Sequence, residues 1–132
     1  MAEIGEVVYT KLTGYPALSA LIGSRVYPGQ LPQRPTLPAI CYTRVSTTAI
    51  QTRDNAGRAG LERPRYQFDC WAATRKEARQ VAAELRYALA TFPQASNPRV
   101  DVALLQNDFD DYEPDTDRHR AVVDVFIWHE EA

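Results

Sequence analysis

The sequence predicts an α+β domain. It would hold one antiparallel sheet of about four strands built from two hairpins, with helices on one face, in the order α-β-β-α-β-β. Three observations carry this reading. Alternation of period two runs through strand-like segments that fall in two pairs. A helical stripe with a capping signature separates the pairs. The length, 132 residues, suits one domain whose elements must share a single core.

Residues 3–13 read as the first helix: Ile4, Val7, Val8 and Leu12 recur at helical spacing, and Gly14 stops it. Pro16 opens a short second helical segment whose apolar face is Leu18, Leu21 and Ile22, ended by Gly23. Four prolines between Pro28 and Pro38 exclude a central strand or a helix there, because proline lacks a backbone donor and fixes φ. Residues 28–38 are therefore an extended surface connection.

Residues 39–52 form a predicted strand, with Ile40 and Tyr42 on one face and Cys41, Thr43, Val45 and Thr47 on the other. Residues 64–73 form its partner, where Tyr66, Phe68 and Cys70 alternate with Gln67, Asp69 and Trp71. Between them lies a protruding polar loop, residues 51–63, with two glycines and no apolar pattern. Thr74 and Glu77 then fit a capping box, and Ala78, Val81, Ala82, Leu85, Ala88 and Leu89 make the stripe of the main helix. "FPQASNP" breaks that helix near Phe92. Residues 99–112 and 118–129 form the second hairpin around the turn "EPDTD".

Composition narrows the function. Hydrophobic content is 45%, charged residues are 24% and the net charge is −2, so any polyanion contact would have to come from a local arginine cluster. No apolar run approaches the ~18 residues of a membrane span. The acidic N-terminus lacks a signal-peptide pattern, which points to synthesis in a cytoplasm-like compartment. Cys41 and Cys70 both fall in strand segments and read as reduced, buried thiols.

Catalytic signatures are thin. His119 and His129 are ten residues apart on one strand, about 33 Å at a rise of ~3.3 Å per residue, too far for one metal. The acidic run from Asp108 to Asp117 lacks the glycine and closing glutamate of an EF-hand loop and reads as a charged strand end and turn. There is neither a Walker loop nor a dinucleotide fingerprint. The expectation is a non-enzyme with no cofactor and no metal site.

Two features do suggest contacts. Arg53, Arg58, Arg63 and Arg65 crowd the long loop against only Asp54 and Glu62, making its tip locally basic. Trp71, Phe126 and Trp128 alternate away from Phe68 and Val125, so helices covering the latter face leave these rings on the open side of the sheet. A sheet apolar on both faces has a second layer or meets another chain.

The order and spacing of four segments resemble the tail-completion, or tail terminator, proteins of long-tailed bacteriophages. These are Leu21 to Pro28 ("LIGSRVYP"), Leu37 to Tyr42 ("LPAICY"), Phe68 to Ala72 ("FDCWA") and Asp124 to Trp128 ("DVFIW"). The similarity covers nearly the whole chain. It implies a homo-hexameric ring that caps the head-proximal end of the tail tube in the virion and joins the tail to the head connector. Genomic DNA would pass through the lumen without sequence-specific binding, and no membrane would be involved. Under that resemblance, Arg53, Asp54, Asn55, Arg58, Arg63, Trp71, Phe126 and Trp128 are the expected subunit or tube contacts. The alternatives are a small oligomeric ligand-binding or regulatory module, recognisable by a closed apolar pocket, and a small thiol hydrolase.

Overall fold

A computed structural model describes residues 3–51 and 59–130. Among these are α1 (Ile4–Thr13), α2 (Pro16–Ile22), β1 (Val26–Pro28), β2 (Ala39–Gln51), β3 (Ala59–Ala72), α3 (Arg75–Leu89), β4 (Val100–Glu113) and β5 (Arg118–Glu130). The α+β class is as predicted. The strands form one sheet in the order β1-β2-β3-β5-β4. The pairs β2–β3, β3–β5 and β4–β5 are antiparallel.

The sheet has five strands among the described residues, not four, and is mixed, because β1 lies parallel to β2. Three residues are too few to show alternation, so β1 was invisible to a pattern search. Its bonds come from its flanks: the Ile40 N–H donates to the Arg25 carbonyl, and the Gly29 N–H donates to the Tyr42 carbonyl. Pro28 ends β1 without needing to donate, and Gly29, at φ 84°, takes a conformation that a side chain would disfavour.

The second correction concerns β3, which begins at Ala59 rather than residue 64. Five of the residues read as loop are therefore strand. Pro64 inside the segment hid this, since proline ordinarily breaks a central strand. Here Pro64 sits opposite Thr47 of β2. On the β5 side the paired positions run from Glu62↔His129 directly to Arg65↔Phe126, so the ladder is interrupted where the proline cannot donate.

The helices form as their caps dictate. The Glu3 carboxylate accepts from the Gly5 N–H at 2.8 Å and starts α1. Pro16 occupies the first turn of α2, and Gly23 ends it at φ 58°. The Thr74 hydroxyl accepts from the Glu77 N–H at 3.2 Å and starts α3. All the stripe residues of α3 named above are buried.

One core joins the helix stripes to one face of the sheet. It brings together Ile4, Val8 and Leu12 of α1, Leu18 and Ile22 of α2, and Val81 and Leu85 of α3 with Phe68, Val123, Val125 and Ile127. Phe92, which the sequence offered only as a helix break, is fully buried there. The core ends partway along the first hairpin. Tyr42 and Tyr66 are buried, whereas every β2 residue from Thr43 to Ile50 is exposed. β2 thus runs on beyond the helix layer as an exposed arm, paired on one side with β3, which β5 flanks as far as Leu61.

Candidate assembly surfaces

The sheet's open face is built by the positions that alternate away from the core. Trp71, Phe126 and Trp128 lie on it, as the periodicity requires, and each carries a guanidinium. Arg63 sits over Phe126 at 4.4 Å and over Trp128 at 5.4 Å. Arg120 sits over Trp71 at 5.3 Å. These stacks leave the rings half-buried, with arginine stems covering apolar surface while their charged heads meet water.

Carboxylates between the rings complete the layer. Asp124, 4% exposed, accepts from Arg65 at 3.1 Å. Asp69 accepts from the Gln67 amide at 3.0 Å and lies 3.8 Å from Arg120, which also pairs with Asp111. Burial raises the Asp69 carboxyl above the usual range. The Gln67 hydrogen bond and the Arg120 charge oppose this, while Asp124 and Asp111 add to it. The Asp124 Oδ1 is buried with no hydrogen-bond partner among the described residues. Sequence reasoning named the rings but missed Arg65, Asp69, Arg120 and Asp124 as their setting. The available signal was Arg and Asp recurring at the same alternate positions as the rings.

Of the expected contact residues, Arg53, Asp54, Asn55 and Arg58 lie outside the described residues. Arg63 is not a loose loop residue: it belongs to β3 and reaches across to β5. The open face therefore brings Arg63, Phe126 and Trp128 together and holds Trp71 apart with Arg120.

The acidic run has a structural use. Asp108 accepts from Arg79 at 2.6 Å and Arg86 at 3.4 Å. Asp110 lies 3.0 Å from Arg75 and 3.1 Å from Arg79. These pairs tie β4 to the length of α3. Asp117 accepts from the Tyr112 hydroxyl at 2.6 Å and closes the turn.

Neither thiol is poised for chemistry. Cys41, on the open face, is pushed up from 9.0 to about 11 by burial and then by the Asp69 charge. Cys70, in the core, is raised further by burial. His129 is 1% exposed, within 2.6 Å of the Glu130 carbonyl through Nδ1 and 3.7 Å from the Glu62 carboxylate through Nε2. That pair sits where β3 meets β5. His119 stacks against Tyr112, 4.9 Å between centroids.

Two open grooves flank the helix layer. One, of about 790 Å³, lies between α1 and the arm and is lined by Tyr9, Tyr42, Arg44 and Tyr66. The other, of about 410 Å³, lies between α3 and β4 beside Tyr87 and Leu105. Both are surface grooves rather than closed ligand cavities. No described helix is long and apolar enough to cross a membrane.

The family model for tail completion protein gp17 matches residues 6–130. The chain belongs to the tail completion protein gp17 family. The chain is a structural component of a phage-type virion tail, not an enzyme. A chain from a solved structure described as "Virion of native gene transfer agent (GTA) particle" has the same fold, with a TM-score of 0.72 and 20% identity. The match covers 94% of this chain and 92% of that one. No curated protein sequence matches significantly.

Proposed function

We propose that this tail completion protein forms a hexameric ring at the head-proximal end of the tail tube. The ring ends tube polymerisation and joins the tail to the head connector. The observation that carries this is family membership across nearly every element of the domain.

The geometry supports a contact protein. A ring contact is heterologous, so each subunit needs two different adhesive surfaces. The open face, with Trp71, Phe126 and Trp128 under their arginines, offers one, and the grooves on the helix side offer others. Arg53, Asp54, Asn55 and Arg58, in the sequence between β2 and β3, and Arg63 are the proposed contacts with a neighbouring subunit or the tube. Genomic DNA would pass through the ring's lumen without sequence-specific binding.

The test is the mass of the purified chain over a range of concentrations, with negative-stain images of the chain mixed with isolated tail tubes. Rings of six, or decoration of one tube end, are the expected results. A chain that remains monomeric and ignores tubes would overturn the proposal.

A further inference from the structure

Both lateral edges of the sheet are open in the described residues. β1 covers β2 only from Ile40 to Tyr42, leaving the outer edge from Thr43 onward unpaired. On the other side β4 is the last strand, covered only at Val100 by a bridge to Gln94. Neither proline nor lysine occurs in β2 or β4, and four of the five β4 acids lie beyond Leu105; register irregularities at Arg44/Ser46 and Val100/Val102 fall at these edges.

The two edges are matched in level and sense. Arg44 lies across from Tyr66, Tyr66 from Val125 and Val125 from Leu105. Likewise Ala49 is level with Glu62, His129 and Val100. The free stretch Arg44–Thr48 therefore sits at the same height as Asp101–Leu105. The pairs between β2 and β4 are all antiparallel, so β2 and β4 run in opposite directions. A second copy set beside the first in the same orientation presents β4 antiparallel to β2.

Charge does not oppose this pairing. In the stretches that would meet, Asp101 already pairs with Arg99 at 3.0 Å and Arg44 with Glu3 at 2.6 Å. β2 carries Arg44 and no acid. The apolar surroundings also meet: the α3–β4 groove beside Leu105 and the α1–arm groove beside Tyr42 both lie on the helix side of the sheet.

Resting on the ring reading above, we infer that neighbouring subunits join by strand addition, the Asp101–Leu105 edge of β4 pairing with the Arg44–Thr48 edge of β2 in the next copy. The sheet then continues from subunit to subunit, and the contact is head-to-tail by construction.

The experiment uses the full chain and two variants, read by sedimentation velocity, alone or with tail tubes. Thr47 and Thr48 are exposed, so Thr47→Glu with Thr48→Glu keeps the fold while setting like charge against Asp101. That variant should self-associate about tenfold or more weakly than wild type. Asp101→Lys in a second chain should restore assembly when the two variants are mixed, because alternate contacts then set the introduced glutamates against the introduced lysine and the others are wild-type. Independently of any variant, amides in Thr43–Ile50 and Asp101–Leu105 of the wild type should exchange more slowly on assembly. Wild-type assembly with unchanged exchange at both edges, or undiminished assembly of the Thr47→Glu/Thr48→Glu chain, refutes the edge contact and leaves the ring standing. A wild type that never associates removes both.

Discussion

Asp108→Ala tests how β4 is attached to the helix layer. The Asp108 side chain is 15% exposed and accepts from Arg79 at 2.6 Å, with Arg86 at 3.4 Å on its more exposed side. A charge-assisted hydrogen bond in a partly buried setting contributes about 1.5–2 kcal/mol. The Arg86 contact is half solvated and adds about 0–0.5 kcal/mol. Arg79 keeps Asp110, so the loss is not that of an orphaned charge. The net cost is therefore about 2 kcal/mol, or about 6–8 °C in Tm for a domain of this size. Urea and thermal denaturation would read it, with Asp115→Ala in the exposed turn as the control, expected within about 0.5 kcal/mol of wild type. The gap between wild type and Asp108→Ala should narrow in 1 M salt, where the screening length is about 3 Å. A cost equal to the control's would refute the clamp; a large cost insensitive to salt would mean that packing, not charge, joins β4 to α3.

Phe68→Ala empties the centre of the core and should cost about 3–5 kcal/mol by urea denaturation. Arg63→Ala uncovers Phe126 and Trp128; a cost of about 1–2 kcal/mol and a red shift in tryptophan emission are expected. The thiols set an alkaline limit. Cys41 titrates at about 11 folded against 9.0 unfolded, so the stability it lends is complete below 9 and falls as pH rises to about 11. Native protein should accordingly resist thiol reagents at pH 8 and react only once unfolded. Asp69 has its folded pKa raised above 3.8, so its ionised form is a burden at neutral pH. Asp69→Asn should raise Tm at pH 7, with the difference vanishing below pH 3.8, whereas a lower Tm at pH 7 would show that the Arg120 contact outweighs burial.

Much of the fold was legible because its signals are local and periodic. Thr74 with Glu77 and the stripe from Ala78 to Leu89 located α3, and Tyr66, Phe68 and Cys70 fixed which face of β3 meets the core. What escaped was non-local. β1 exists only because β2 offers an edge to it, and β3 continues through Pro64 only because the β5 ladder is interrupted there. The open-face rings were legible from parity alone, but their arginine covers were not. Arg63 and Arg120 come from different strands and meet the rings only across the sheet.

The arm, β2 beyond Tyr42, pairs with β3 but places no side chain in the core. Its opening free energy is therefore that of ladder hydrogen bonds with few buried side chains, well below that of the domain as a whole. It should behave as a separate cooperative unit that can rearrange while Phe68 and the helix layer stay folded. Such a decoupled unit can take its final conformation from whatever it docks against without passing strain inward. One subunit design can then meet partners of differing shape, with the cost of adapting confined to residues that hold nothing else together.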